Sequence, residues 1–207
     1  MNTIISISRQ FGSGGREVGT GLAKFYDIPF YDSAIINLAA EKSGMNKEGI
    51  ENLDEKASNR FLYTIPSGLP TMGQIAPSTL YNMPLSDTLF LTEYEIIQQL
   101  AHRGPCVIVG RCSDYVLKDF PNHLSVFIHA SENFRATRIA KYEDITEKEA
   151  DSRLHKYDKE RKKYHDYYAA NTWGNAAYYD LTLNSGVLGI DGSISVIASF
   201  IDLFEKL

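Results

Sequence analysis

The sequence predicts an α/β fold, a three-layer sandwich with helices on both faces of a five-stranded, mainly parallel sheet. Two observations predict it. Short β-branched, apolar runs alternate with helical stretches of ten or more residues, the pattern of strands joined by crossover helices. The first run leads straight into a glycine-rich turn, Arg9–Glu17 (RQFGSGGRE), and then a helix. At 207 residues the chain suits one domain, residues 1–207, with room for an inserted segment.

Taken in order, Thr3–Ser8 (TIISIS) reads as a buried strand. Val18, Leu22 and Phe25 recur at helical spacing up to Tyr26. Ile28–Tyr31 is a short second strand, and Pro29 puts it at an edge or at a strand start. Ser33 is placed to cap a helix over Ala34–Lys42. From Ser43 to Pro84 the pattern lapses into a polar helix over Lys47–Ser58 and then a stretch containing Pro66, Pro70, Pro77 and Pro84. This is an irregular insertion rather than a linker, because the α/β pattern resumes after it. Thr88–Arg103 is an amphipathic helix, and Pro105–Val109 (PCVIV) is the most apolar strand. Leu124–His129 is a strand, and Ser131 caps a helix through Ala140. Thr146-x-x-Glu149 is a capping box opening a charged helix to about Tyr168. Tyr179–Leu183 is the last strand, and Asp191 can cap a final helix, Ile194–Phe204.

Composition excludes several classes. A net charge of −5 argues against a nucleic-acid glove but not against a small anionic ligand. No apolar run is expected to reach the roughly 18 residues a membrane span needs. Met1–Ser8 lacks a basic segment followed by an apolar stretch, so a cytoplasmic protein without a membrane partner is expected. Cys106 and Cys112 match no zinc spacing and read as two reduced thiols; no protein metal site is predicted.

The glycine-rich turn carries the chemistry. Gly12, Gly14 and Gly15 let the backbone curl, so that successive N–H groups, with Ser13 among them, can surround a phosphate at the helix N-terminus. Arg9 and Arg16 flank the turn and can add charge-assisted bonds. A side chain at Gly14 is expected to fill the phosphate space. Against the pattern G-x-x-x-x-G-K-[ST], Arg16 takes the Lys place and Glu17 the Ser/Thr place when Gly15 is the last glycine. Glu17 beside a phosphate is repulsive unless a metal intervenes. The alternative reading is a tight strand-to-helix turn with no ligand.

The opening ISISRQFGSGGREVGTGLAKFYDIPFYDSAII resembles the cytidylate kinase-like family, relatives of the nucleoside monophosphate kinases. VIVGRCSDYVL, FIHASENFRATRI, DKERKKYHDYY and NTWGNAAYYDLTLNSG follow in that family's order, so the resemblance spans nearly the whole chain. It implies a P-loop NTPase fold of the nucleoside monophosphate kinase type with strand order 2-3-1-4-5. It also implies an acceptor-side insertion at about 34–95 and a lid at about 142–168, both closing on substrates. The activity implied is transfer of the ATP γ-phosphoryl to CMP, dCMP or another small acceptor with Mg2+. Aligned without gaps over Ser8–Ser33 on the true cytidylate kinases, Gly15 stands where those kinases carry a catalytic Lys and Glu17 where they carry Thr. A non-catalytic nucleotide-binding or regulatory protein of the same fold is the alternative.

Further candidates follow from strand ends and from the resemblance. Asp32 and Ser33 end the second strand, where ligands gather in parallel sheets, and resemble an acceptor-facing pair; helix capping is the other reading. Arg111 resembles the acceptor-binding Arg of a Gly-Arg-Asp segment whose Asp is here Cys112, with Asp114 nearby to compensate. A buried ion pair is the alternative for Arg111. Arg153, Asp158 and Arg161 resemble the lid of the kinases, where arginines neutralise the transferring phosphoryl; a solvated charged face is the other reading. His165 reads as a surface residue. Arg135 and Arg138 either reach phosphates or pair with acids. The tyrosines from Tyr164 to Tyr179, with Trp173, either stack on a base or pack a core.

Overall fold

The computed structural model describes residues 1–32 and 84–206. The element order is β1 (Ile4–Arg9), α1 (Gly15–Tyr26), β2 (Phe30–Tyr31), α2 (Leu85–His102), β3 (Val107–Val109), α3 (Ser113–Val116) and β4 (His123–His129). Then come α4 (Glu132–Glu143), α5 (Glu147–Tyr168), a 3-10 turn (Ala176–Tyr178), β5 (Leu181–Asn184) and α6 (Ser185–Phe204). Ser33, the expected helix Lys47–Ser58 and the four-proline stretch up to Pro77 lie outside the described residues, as does most of the expected insertion.

The five strands form one parallel sheet ordered β2-β3-β1-β4-β5, as expected. β1 lies at its centre, with Ile5 opposite Val107 on one side and Leu124 on the other. Strand alternation sorts β1's side chains to two faces. Ile5 and Ile7 join Val107, Val109, Leu124, Val126 and Ile128 against α1 and α6, where Val18, Leu22, Ile197 and Ile201 complete the larger core. Ile4 joins Ile108 and Cys106 against Leu89, Ile96, Ile97 and Leu100 of α2. Ser6 and Ser8, on that second face, take polar partners instead. Pro29 does precede an edge strand, since β2 closes one side of the sheet.

Helix boundaries follow their caps. Ser131 Oγ accepts the Phe134 N–H, and Thr146 forms its capping box with Glu149, as the sequence indicated. The last helix differs from expectation. It opens at Ser185, where the Asn184 side chain accepts the Gly186 N–H, and it kinks at Gly189 (φ 69°, ψ 179°) before running to Phe204. The kink lets one apolar stretch pass from β5 onto α1, where Gly21 brings the helices close enough for Ile194 to occupy the space of an absent side chain. By length and composition α6 is long and apolar enough to cross a membrane (hydropathy 1.7), which the run-by-run reading did not anticipate, because Gly and Ser interrupt its apolar residues. The described end of the expected insertion, residues 84–95, is largely core: Leu89 and Phe90 of α2 are buried.

One partly buried polar pair on the second face has a pH consequence. Ser6 Oγ and His123 Nε2 share a hydrogen bond of 2.7 Å. Desolvation lowers the His123 pKa to about 4, against opposing contributions from Asp180 and Asp114. In the unfolded chain the imidazole titrates near its ordinary 6.5. Protons therefore favour the unfolded state: the contribution is complete above pH 6.5 and is lost as the pH falls through about 4. Urea midpoints should drop across that window, and His123→Gln should drop less steeply. Equal slopes in the two proteins would refute the assignment.

Candidate active site at the carboxyl edge of the sheet

β1 delivers the chain to the carboxyl edge of the sheet, and the turn that follows is pinned to β4. The Gln10 N–H donates to Ile128 O at 3.0 Å, and Gln10 Oε1 accepts the Ala130 N–H at 3.2 Å. Gly12 (φ 77°) and Gly14 (φ 80°) then take the chain through the left-handed region. Gly14 caps α1 without a side-chain bond. The first N–H groups of a helix have no intrahelical acceptor, so α1 presents donors and a positive dipole end at this turn. The residues therefore fit an anion such as a nucleotide phosphate.

The turn is braced by side chains from three other helices. The Asp158 carboxylate of α5 accepts the Phe11 N–H at 2.7 Å and the Arg135 Nη1 at 2.5 Å. Arg135 also donates to Phe11 O (3.0 Å) and Ala130 O (3.1 Å), and its side chain is only 4% exposed. Arg161 donates to Arg9 O at 3.1 Å and lies over the Phe11 ring, which packs on Tyr157. Burial lowers the Arg161 pKa; Asp158 and Asp32 oppose this, while Arg111 and Arg135 reinforce it. From α6, Ser185 Oγ donates to Ser13 O at 2.6 Å.

The loop glycines are also closely packed by the protein itself. A Cβ on Gly14 would run into Ile190, one on Gly15 would stand 2.6 Å from Arg9 Cβ, and one on Gly12 2.9 Å from Ile139 Cδ1. The left-handed φ at Gly12 and Gly14, and the Arg9 Cβ beside Gly15, favour glycine here whether or not an anion is bound, while the Ile190 and Ile139 tips can shift. A side chain at Gly14 would also meet the tip of Ile190 of α6, a steric cost separate from any it would impose on an anion.

Charged groups line both sides of the turn. Glu17 is paired with Arg138 of α4, so its repulsion toward an anion is offset within the protein. Arg138 also lines an open groove of about 520 Å³ with Ser131, Phe134, Thr137, Lys141 and Gly186, which makes groove and turn neighbours. On the other side, Arg16 Nε donates to Asp32 Oδ2 at 2.7 Å, with Arg9 Nη2 3.9 Å from Oδ1. Arg9 lies over Gly110, where a Cβ would meet its guanidinium. Beyond it, Arg111 Nε sits 3.4 Å from Glu93 Oε1, and the Tyr164 hydroxyl donates to Glu93 Oε2 at 2.9 Å. Gly110, Arg111 and Cys112 are all left-handed (φ 84°, 56° and 53°). Two non-glycine residues there cost about 1–2 kcal/mol each, so the surroundings must hold the turn.

The match to the family model of the cytidylate kinase-like family covers residues 4–187. The chain belongs to that family. No curated protein matches the sequence. Among solved structures, an uncharacterized protein from Eubacterium ventriosum ATCC 27560 is 27% identical with a TM-score of 0.69, covering 97% of this chain and 98% of its own. Shikimate kinase from Bacteroides thetaiotaomicron is 12% identical with a TM-score of 0.56, over 98% and 99% of the two chains. A gluconokinase from Sinorhizobium meliloti 1021 is 16% identical with a TM-score of 0.54, over 99% and 97%. At such identities the last two likenesses establish the kinase fold alone.

In this cytidylate kinase-like chain the structure gathers some of the candidate residues and separates others. Arg9, Gly12, Ser13, Gly14, Gly15, Arg16 and Glu17 form the turn; Asp32, Arg111 and Arg161 converge beside it. Arg153 goes elsewhere, to an exposed pair with Glu143. Asp158 is a brace for the loop backbone rather than a group facing open space. Asp114 is buried between Ser8 and His165, and His165 is 3% exposed, which corrects its reading as a surface residue. Most of these aromatics pack: Tyr168 stacks on Phe90 at 4.0 Å and donates to Asp87, and Trp173 and Tyr179 meet Phe127, whereas Tyr178 is exposed. Burial raises the Cys112 thiol pKa well above its ordinary value, with Asp114 and Glu93 adding to it, so no thiolate is available.

Sequence reasoning missed Glu93, although it carried a signal: a carboxylate on the same helical face as Leu89, Phe90 and Ile97. The brace itself is testable. Asp158→Ala leaves Arg135 buried without its partner and should cost about 3 kcal/mol in denaturant unfolding, the lower end for a broken buried pair. Arg153→Ala removes only an exposed pair and should stay within about 0.5 kcal/mol. Equal effects would show that the two pairs do not differ as described.

Proposed function

We propose that this protein is an ATP-dependent phosphotransferase of the cytidylate kinase-like kind, with CMP, dCMP or another small acceptor taking the γ-phosphoryl. The observation that carries the reading is the open N-terminus of α1 behind two left-handed glycines, with an Arg138-lined groove on one side and Arg9, Asp32 and Arg111 on the other. The N–H groups of the turn bind the triphosphate, and the groove takes the nucleoside. Arg111, with Asp32 and Arg9, receives the acceptor at the strand ends, within reach of the same turn. Arg161 and Arg16, held beside the turn by the Arg9 carbonyl and Asp32, offset part of the phosphate charge from where they stand.

Magnesium, when bound, neutralises charge on the phosphate oxygens. Such an ion keeps several waters and needs only one or two carboxylates besides phosphate. Asp32 is engaged by Arg16 and Arg9, and among the described residues there is no cluster of three or more ligating side chains, so an ion here would be held mainly by phosphate and water.

A second reading, a nucleotide-binding protein without turnover, draws on one specific observation. Arg16, Arg153 and Arg161 are each engaged, by Asp32, Glu143 and the Arg9 carbonyl, so none stands ready in place of the missing Lys. An assay coupled to ADP release, run across nucleoside monophosphates, separates the two. Turnover with CMP well above the ATPase background supports the kinase. Silence with every acceptor, alongside ATP binding retained in calorimetry, supports the second reading.

A further inference from the structure

The turn that carries Arg111 is held from an unexpected direction. Asp114, in the first turn of α3, is 5% exposed. Its Oδ1 accepts from Ser8 Oγ at 3.3 Å, and its Oδ2 lies 2.7 Å from His165 Nε2. Ser8 belongs to β1 and His165 to α5, so the two bonds fasten Asp114 between the centre of the sheet and the charged helix. Backbone bonds from Ser113 N–H to Gly110 O (3.1 Å) and from Val116 N–H to Cys112 O (2.9 Å) tie Asp114's short helix to the left-handed turn Gly110–Cys112. The neighbouring residue on α5, Tyr164, reaches the other end of the same turn, since its hydroxyl donates to the carboxylate that pairs with Arg111.

We propose that His165 is a positioning residue for acceptor binding: through Asp114 it fixes the strained turn that sets the direction of Arg111. This deepens the kinase reading and rests on it for the identity of the ligand. His165 touches neither substrate. It acts because a turn with consecutive left-handed residues has lower-energy conformations to relax into unless both of its ends are tethered. The imidazole reaches Asp114 from α5, and a Leu there fills much of the space without the hydrogen bond. A Gln amide can donate to the same oxygen.

The experiment compares His165→Leu, His165→Gln and Asp114→Asn with the unaltered protein in two measurements. The first is amide exchange across residues 110–116. It should quicken at least tenfold in His165→Leu and return to within about threefold of the original in His165→Gln, while β4 stays protected. The second is binding of CMP and, separately, ATP by calorimetry. CMP affinity should fall at least tenfold in His165→Leu and Asp114→Asn, recover largely in His165→Gln, and be matched by the loss in Arg111→Ala; ATP affinity should stay within twofold. Should His165→Leu fail to fold, Asp114→Asn against His165→Gln carries the comparison. Unchanged exchange overturns the proposal whatever CMP does. Faster exchange with unchanged CMP affinity overturns it too, leaving His165 a stabilising residue only. If the unaltered protein binds ATP but not CMP, it is the CMP reading that falls, and the exchange result alone decides for or against the hold on the turn.

Discussion

The Asp158 carboxylate, shared between the Phe11 N–H and the Arg135 guanidinium, is the interaction on which the site depends. A glycine-rich turn has many conformations open to it, and ordering it costs entropy that glycine makes larger. Here the cost is met by bonds to the turn's own backbone. Phe11 is held at both its N–H and its carbonyl, Arg9 at its carbonyl by Arg161, and Ser13 at its carbonyl by Ser185. Arg135 is nearly fully buried, and a charge so placed is tolerable only because Asp158 and two carbonyls surround it. The cradle is thus formed before any anion arrives, the condition under which fixed dipoles stabilise charge most effectively.

The same helix serves the other side of the cleft. Along α5, Asp158 and Arg161 face the glycine-rich turn while Tyr164 and His165 face the turn that carries Arg111. Spacings of three and four residues put these groups on one ridge. The segment that the family resemblance makes a lid is, over its C-terminal half, a strut between the two turns. Its N-terminal half is anchored less widely, by Ala150 and Leu154 against α4 and Phe11. Any closing movement therefore has to break or carry along the Asp158 and Arg161 contacts.

Much of the architecture was legible in the chain because it depends on local pattern. The strand alternation around Ile5 and Ile7, the apolar run at Val107–Val109, the Ser131 cap and the Thr146 capping box all act within a few residues of themselves. The glycine-rich turn was legible for the same reason. Final-helix onset was misplaced because Asn184 caps it directly after β5 and Gly189 bends it, and periodicity read across a bend loses its phase. His165 was misread as a surface residue because the residues around it are charged, and only the approach of Asp114 from 51 positions away explains its burial.

What the sequence by itself determined is the parallel α/β sheet, its strand order through family resemblance, and the presence of a glycine-rich turn between β1 and α1. Only the tertiary structure decided what each charged residue does. Asp158, Arg153 and Arg161 lie on one helix and look alike in the chain, yet one braces a loop, one pairs at the surface and one sits among Asp32, Arg111 and Arg135. The physical reason is that a charged side chain takes its role from its partner and its exposure. Both are set by which elements the fold brings together across long sequence separations, and no local pattern encodes them.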